Sequence, residues 1–203
     1  MEMLRKSVND FTASLASKAS VPGGGSASAL AGSLAAALGG MVGELTVGKK
    51  KSAAVEPILR ELLDEAETLR GRLLDCVEKD AAALAPLAKA YAIPKDDPQR
   101  AETLEACLTA AAAPPMEVLE LTGRTVELLR GFADMGSPIA VSDAAVGAAL
   151  ALAALRGTEI NVRVNTRLMQ DRDAEAAAIY PSALCSYWAG VTQYESGRSY
   201  TAA

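Results

Sequence analysis

The chain has 203 residues, which is enough for one large hydrophobic core and short for two domains. Its residues are 50% apolar but only 4% aromatic, and its net charge of −5 disfavours a nucleic-acid or anionic-membrane partner bound through bulk electrostatics. Because histidine is absent, Ser-His-Asp catalysis, Cys-His catalysis and histidine-ligated metal sites are excluded, and proton transfer falls to Asp, Glu, Lys, Tyr or Cys.

The N-terminal segment has helical periodicity. Apolar residues recur at Leu4, Val8, Phe11 and Leu15, which predicts an amphipathic helix over residues 3–18. A cluster of helix breakers at residues 20–25 ends it. The first residues are mixed in charge and lack an apolar signal core, so we expect no secretory signal and a cytoplasmic protein.

A second helix is predicted to open at Gly25 or Ser26 and to run to residue 43 without a charged side chain. Small residues at spacings of three and four form a strip that would let another helix approach closely. They are Gly32, Ala36, Gly40 and Gly43. The stretch approaches the length of a membrane span. Because it consists mostly of Ala, Gly and Ser, we favour a buried helix over a membrane-associated hairpin.

The middle of the chain predicts a long helical region. Leucines supply an apolar face over residues 52–91, with Pro57 in the first turn. Pro86 lies inside the pattern and is expected to kink the helix. Residues 93–98 are a polar connection.

The helical pattern continues through the C-terminal half. Helices are predicted over residues 99–113 and 118–135, with a break and restart at Pro114 and Pro115. After a turn at residues 136–138, further helices are predicted, with Ser142 or Asp143 as the N-cap of the first. They span residues 142–155, 158–171 and 173–191. Since no stretch alternates long enough to predict a strand, the expected fold is all-α: a single-domain helical bundle with long central helices over residues 1–203.

The three cysteines, Cys76, Cys107 and Cys185, are far apart and form no CxxC pair. The spacing therefore suggests neither a disulfide framework nor a zinc site. Each has apolar neighbours, so we expect small buried side chains in a reducing compartment.

Three glycines precede the uncharged helix in a segment that we call the glycine loop. It comprises Pro22, Gly23, Gly24, Gly25 and Ser26. Backbone N–H groups at a helix start, with no side chain in the way, suit an anionic or carbonyl-rich ligand. An ordinary flexible turn is the alternative. The loop is neither a Walker A nor a Rossmann motif, since no strand precedes it and no Lys-Ser/Thr follows.

Three lysines, Lys49, Lys50 and Lys51, stand at the far end of the same helix. Lysines are favourable near a helix C-terminus, so a solvated cap explains them without function. Alternatively, they bind substrate carboxylates or polarise a reacting group.

Two aspartates and two asparagines are further candidates. Asp80 stands where a charged stretch gives way to an apolar one, and partial desolvation there would suit a carboxylate base; surface exposure is the alternative. Asp143 follows Ser142, and helix capping competes with catalysis for both. Asn161 and Asn165 are four residues apart and share a helix face. Their amides could form hydrogen bonds with the edge of a heterocyclic ligand or with another helix.

Together these motifs resemble the cyclodeaminase/cyclohydrolase family, which includes the C-terminal domain of formiminotransferase-cyclodeaminase and stand-alone methenyltetrahydrofolate cyclohydrolases. The glycine loop, the Ala/Gly-rich helix after it and residues 45–51 carry the resemblance. Residues 142–144 and 161–165 match later motifs of the family in order and approximate spacing. The resemblance covers essentially the whole chain.

The resemblance implies an all-helical homodimer with a folate-binding cleft near the dimer interface. It implies hydrolysis of 5,10-methenyltetrahydrofolate to 10-formyltetrahydrofolate, release of ammonia from 5-formiminotetrahydrofolate, or both, without a metal or redox cofactor. Asp143, with Asp80 as second choice, would accept the proton, and a lysine such as Lys50 would assist its transfer. Ser52 stands where the family has an aromatic residue, so one substrate contact differs.

The resemblance also assigns a set of residues to substrate binding. They are Pro22, Gly23, Gly24, Gly25, Ser26, Lys49, Lys51, Ser142, Asn161 and Asn165. The alternative function is that of a non-catalytic helical-bundle folate-binding or scaffold protein.

Overall fold

The computed structural model describes residues 3–170, which form five α-helices and three short 3₁₀ turns. The α-helices are α1 (Val8–Leu15), α2 (Gly24–Glu44), α3 (Glu56–Tyr91), α4 (Arg100–Met135) and α5 (Val141–Thr166). The 3₁₀ turns are Met3–Arg5, Lys50–Ser52 and Pro138–Ala140. The predicted all-α fold is confirmed, with long helices at its centre.

Helices α2 to α5 form a four-helix bundle in which each helix runs antiparallel to the next. Gly43 near the end of α2 packs on Leu63 near the start of α3, whereas Ser26 at the start of α2 bonds Asp80 near the end of α3. The core is filled mainly by leucines, alanines and valines, and Phe132 is its largest fully buried side chain. Burial of this apolar surface is the main stabilising contribution to the bundle.

The strip of small residues on α2 makes the close helix approaches that its spacing predicts. A Cβ atom on Gly43 would lie 2.5 Å from a ring carbon of Phe132, and one on Gly32 would lie 3.0 Å from Thr122 Oγ1. Phe132 and Thr122 both belong to α4, so the missing side chains let α2 contact α4 as well as α3 and α5. Glycine at these positions is therefore a packing requirement.

Two segments of the described chain, Gly24–Glu44 and Pro138–Thr166, are long and apolar enough to cross a membrane. The core helix of a bundle passes the same test of length and composition. Half of the apolar stretch of α2 is buried against other helices. We interpret both segments as core helices.

The first predicted helix, residues 3–18, is shorter and interrupted. Its initial residues form the Met3–Arg5 turn, and α1 begins only at Val8 because Ser7 caps it. The Ser7 hydroxyl oxygen accepts a hydrogen bond from the Asp10 backbone N–H, which satisfies a donor that has no partner inside the helix. α2 opens at Gly24, one residue before the predicted start.

The break predicted at Pro114 and Pro115 is wrong, because α4 runs through both residues. Both prolines are buried, so packing against the bundle outweighs the lost backbone hydrogen bonds. α3 likewise continues through Pro86 to Tyr91, and Pro57 lies in its first turn as predicted.

The helices predicted over 142–155 and 158–171 form one helix, α5. Gly157 does not interrupt it, and the absence of a side chain there lets α5 pack closely on α2, since a Cβ atom would lie only 2.4 Å from Ser28 Oγ. The predicted N-cap is wrong: Ala140 caps α5, and Ser142 and Asp143 lie in the first turn. The Pro138–Ala140 turn leads directly into α5, which therefore begins at Val141, before the predicted N-cap. The helix predicted over 173–191 lies outside the described residues.

The cysteine prediction is confirmed for Cys76, which is fully buried, and burial raises the pKa of its thiol to about 12. A thiol with so high a pKa is neutral and unreactive at physiological pH. Cys107 is half-buried beside a small apolar cluster at the far end of α3 and α4. Cys185 lies outside the described residues.

Glu117 of α4 bridges two cations of α3, with Lys79 Nζ at 2.6 Å and an Arg72 nitrogen at 3.1 Å. Burial opposes ionisation of this carboxyl group, but the hydrogen bonds from Lys79 and Arg72 outweigh it and hold its pKa below the usual 4.5. A lowered pKa in the folded state means that the ionised carboxylate stabilises the fold.

We expect Glu117→Gln to lower the free energy of unfolding by about 1 kcal/mol near pH 7, a modest value because both cations are half exposed to solvent. The contribution is complete above the unfolded pKa of 4.5 and is lost as the pH falls through the lower folded pKa. Urea unfolding at neutral pH and at about pH 3 measures it. The difference from the wild type should shrink in acid, and Glu61→Gln, at an exposed position on α3, is the control. A loss of equal size at both pH values would contradict the assignment.

Candidate active site

The glycine loop lies at the start of α2, as predicted. Gly23 is the N-cap residue in extended conformation, and no side chain caps the helix. The preceding Val21–Pro22 peptide bond is cis. Pro22, Gly25 and Ser26 are buried, whereas Gly24 is exposed. The loop therefore leaves one surface open at the helix start, where unpaired backbone N–H groups carry partial positive charge.

Asp80 of α3 lies directly against this loop. The Ser26 hydroxyl donates a hydrogen bond to Asp80 Oδ2 at 2.8 Å, and Ser26 Oγ also lies 3.3 Å from the carbonyl oxygen of Val77. A Cβ atom on Gly25 would lie 2.1 Å from Asp80 Oδ1, so the carboxylate occupies the space of the absent side chain. Glycine is required at this position for the carboxylate to reach the start of α2.

The side chain of Asn161 of α5 also lies beside the glycine loop. Its amide atoms lie 3.7 and 3.8 Å from the position of a Cβ atom on Gly24, and its Nδ2 donates a hydrogen bond to the Gly157 carbonyl oxygen at 2.8 Å. Asn165 differs: its Nδ2 donates to the Ala111 carbonyl oxygen of α4 at 2.9 Å. The interhelical alternative therefore describes Asn165, and Asn161 is the amide beside the glycine loop.

The lysines lie at the other end of α2. Lys49 Nζ donates a hydrogen bond to Ser137 Oγ at 3.1 Å, and the Ser137 backbone N–H donates to Thr46 Oγ1 at 2.8 Å. These bonds tie the end of α2 to the turn between α4 and α5. Lys50 and Lys51 are exposed on the Lys50–Ser52 turn. Ser137 and Thr46 were not candidates from the sequence, and nothing in their local pattern indicates this contact.

Asp143 and Ser142 lie in the first turn of α5, which follows Ser137 after one 3₁₀ turn. Asp143 is half-buried and Ser142 is exposed. Asp143 precedes Asn161 by 18 positions on one helix, a separation of about 27 Å at 1.5 Å per residue. Asp143 therefore belongs to the lysine end of the molecule and does not contact the glycine loop of its own chain.

Apart from Asn165, which bonds α4, the predicted site residues form two groups, which we call the glycine end and the lysine end. The glycine end comprises Pro22, Gly23, Gly24, Gly25, Ser26, Asp80 and Asn161. The lysine end comprises Lys49, Lys50, Lys51, Ser142 and Asp143. One chain holds the two ends apart by about the length of α2, roughly 30 Å for its 21 residues.

The glycine end has the elements of an acid–base centre. It combines a carboxylate oriented by a hydroxyl group, a helix start with open N–H groups, and a side-chain amide. Within residues 3–170, no group of three or more metal-ligating side chains comes together. The fold and this site define a class: an all-helical bundle in which a carboxylate and a glycine-rich helix start come together.

Comparison with known proteins identifies the family. The model of the formiminotransferase-cyclodeaminase family matches residues 7–179, and the chain belongs to that family. It is 34% identical over 171 residues to a methenyltetrahydrofolate cyclohydrolase of Methylorubrum extorquens, covering 82% of each chain. It is 30% identical to the mouse formimidoyltransferase-cyclodeaminase, matching 83% of this chain and 32% of that protein.

A solved structure shares the fold. The formiminotetrahydrofolate cyclodeaminase of Thermotoga maritima superposes with a TM-score of 0.88 and 26% sequence identity, covering 97% of this chain and 96% of that one. The bundle described above is therefore the fold of that cyclodeaminase.

Proposed function

We propose that this protein is a methenyltetrahydrofolate cyclohydrolase that converts 5,10-methenyltetrahydrofolate and water to 10-formyltetrahydrofolate. One observation carries the proposal: Asp80 is held by Ser26 in the space that a side chain on Gly25 would fill. A carboxylate at this point can both attract a cationic substrate and accept a proton. The relative from Methylorubrum extorquens bears the name of this activity.

The methenyl carbon between N5 and N10 is an electrophilic amidinium centre. In the proposed reaction a water oxygen bonds to that carbon while Asp80 accepts a proton from the water. The resulting tetrahedral carbon opens as its bond to N5 breaks, and Asp80 returns the proton to N5. The remaining hydroxyl proton leaves to solvent as the formyl carbonyl forms on N10. The balance is one proton released per turnover, and no metal or redox cofactor enters the reaction.

Release of ammonia from 5-formiminotetrahydrofolate is the second candidate activity, and the fold shared with the Thermotoga maritima cyclodeaminase favours it. There N10 would attack the formimino carbon, and a protonated group would assist the departure of ammonia. Both reactions pass through one tetrahedral carbon, so one site can serve both. Ammonia release from that substrate is the direct measurement.

We propose further that the protein is a homodimer formed through the outer face of α2. No charged side chain occurs between Gly24 and Gly43. The outward residues Leu34, Met41 and Leu45 are 48%, 39% and 49% exposed in the single chain. A helix that is apolar all round is stable only when every face is covered. A second copy of the chain supplies such a cover, by an isologous contact of this face with itself.

A dimer of this kind also brings the two ends of the site together. When two α2 helices pack antiparallel about a two-fold axis, the glycine end of one chain lies beside the lysine end of its partner. In the proposed composite site, Asp80 performs the proton transfer, and the exposed Lys50 and Lys51 of the partner subunit bind the glutamyl carboxylates of the folate. Asp143 of the partner subunit stabilises the substrate cation. We also propose that the protein carries out its folate reaction in the cytoplasm.

Loss of the methenyl chromophore tests the cyclohydrolase proposal. Protein treated with EDTA and supplied without nucleotide should accelerate that loss over buffer alone. If it does not, even at high protein concentration, the proposal fails. Binding of the folate without turnover would instead support the non-catalytic folate-binding alternative.

Subunit mixing tests the composite site. We expect Asp80→Asn and the triple variant Lys49→Ala, Lys50→Ala, Lys51→Ala to be nearly inactive as homodimers. After dissociation and random reassociation, half the dimers carry both variants, and one of their two sites is intact. Activity should therefore return to about a quarter of the wild-type value. Analytical ultracentrifugation checks the dimer, and no recovery in mixed dimers would contradict a shared site.

A further inference from the structure

The chain before α2 contacts the bundle through apolar side chains and through hydrogen bonds to Glu78. We call residues 3–23 the N-terminal arm. The carboxylate oxygen Oε1 of Glu78 accepts hydrogen bonds from the backbone N–H groups of Met3 at 2.7 Å and Leu4 at 3.0 Å. Farther along, Phe11 of α1 is buried in the main core, whereas Val8 on the same helix is 82% exposed. α1 thus rests on the bundle mainly through one aromatic side chain.

Both ends of the arm meet a single turn of α3. Glu78 holds the beginning of the arm, and the adjacent residues Val77 and Asp80 face Ser26, just beyond its end. The residues between form a closed loop whose two attachment points are within three positions of each other. The glycine loop is the last part of this closed loop, so its conformation depends on where the arm is held.

The Glu78 side chain caps the Met3–Arg5 turn, although it is about 75 positions away in the sequence. Two successive N–H groups at the start of the Met3–Arg5 turn have no acceptor within that turn, and an ionised carboxylate is the strongest acceptor that they can meet. Because both bonds end on one oxygen atom, loss of that atom releases both amides together.

We propose that Glu78 is a positioning residue of the proposed folate site, acting through the N-terminal arm on the glycine loop. Glu78 does not touch the substrate. It keeps the arm against α2 and α3, so that the start of α2 is presented to the ligand in one conformation. A bound ligand then does not have to order the arm, which would otherwise weaken binding. The proposal rests on the proposed function, since the affinity concerned is that for the folate.

The test compares Glu78→Ala with Glu78→Gln and with the control Glu61→Gln, an exposed position on the same helix. For Glu78→Ala we expect KM for 5,10-methenyltetrahydrofolate to rise about tenfold with kcat within about twofold of wild type, since Asp80 is untouched. Glu78→Gln keeps an acceptor oxygen without the charge, so its KM should lie between those of the wild type and Glu78→Ala. A purely structural role would lower the unfolding midpoint without separating KM from kcat.

Limited trypsin digestion measures directly how firmly the arm is held on the bundle, because Lys6 and Lys18 lie within it. Cleavage after these residues should be about tenfold faster in Glu78→Ala than in wild type while the bundle stays intact. Unchanged cleavage, or faster cleavage with unchanged KM, overturns the positioning role while leaving the proposed function in place. A wild-type protein without folate turnover overturns the proposed function and the positioning role with it.

Discussion

Replacing Asp80 with asparagine is expected to lower kcat by at least about a hundredfold, with KM changed only severalfold. Asparagine has the shape of aspartate and can still accept the Ser26 hydroxyl hydrogen bond, so the contact at 2.8 Å can persist. It cannot take a proton from water. The variant should therefore unfold within about 1 kcal/mol of the wild type, because the lost function is chemical and the packing is kept.

Asp143→Asn is the matched comparison. The sequence resemblance favours Asp143 as the base, whereas Asp80 is the aspartate against the glycine loop. We expect Asp143→Asn to lower kcat/KM by about tenfold, through weaker stabilisation of the substrate cation, and to leave a working base. Rates of chromophore loss for the two variants decide between them. If Asp143→Asn is the more damaged enzyme, the base is Asp143 and the mechanism must be rebuilt around the lysine end.

Replacing Gly25 with alanine is expected to abolish at least about 99% of the activity and to lower the free energy of unfolding by about 1–3 kcal/mol. The added methyl carbon would lie 2.1 Å from Asp80 Oδ1, far inside van der Waals contact. Asp80 has a short side chain, so its carboxylate must leave the start of α2 or the two helices must separate. Either change removes the arrangement on which the proposed reaction depends. Circular dichroism during urea unfolding and the chromophore assay measure the two effects.

Three variants provide the controls for Gly25→Ala. Gly71→Ala meets nothing within 4 Å on α3 and should raise stability by about 0.5–1 kcal/mol through helix propensity. Gly23→Ala also has open space and should preserve the fold. In the double variant Gly25→Ala, Asp80→Ala, the collision is gone, so stability should return while activity does not. A stable and active Gly25→Ala protein would contradict the placement of Asp80.

Periodic apolar residues predicted where most helical segments lie, because a helix that packs on a core turns an apolar face to it. The small-residue strip of α2 was predicted for the same local reason. The breaks at Pro114 and Pro115 and at residue 157 were wrong, since local propensity omits tertiary packing. Both prolines are buried, and Gly157 lies against Ser28, so the surrounding helices sustain α4 and α5 where the isolated chain would be interrupted.

The candidate site was predictable as a set of residues but not as an arrangement. Gly25 and Asp80 were each recognisable from their local surroundings, but their contact joins positions 55 apart. Asp143 was preferred to Asp80 as the base, but the length of α5 separates Asp143 from the glycine loop of its own chain, as the length of α2 separates the lysines from it.

The amino-acid sequence by itself determined that the protein is helical, that none of its side chains is an imidazole, and that the glycine loop and the three lysines flank the same helix. These are properties of composition and of short-range spacing. Only the tertiary structure decided that Asp80 meets the glycine loop and that Asp143 lies with the lysines at the opposite end of the bundle. Such choices depend on helix direction and on how closely two backbones approach, and both result from contacts between residues distant along the chain.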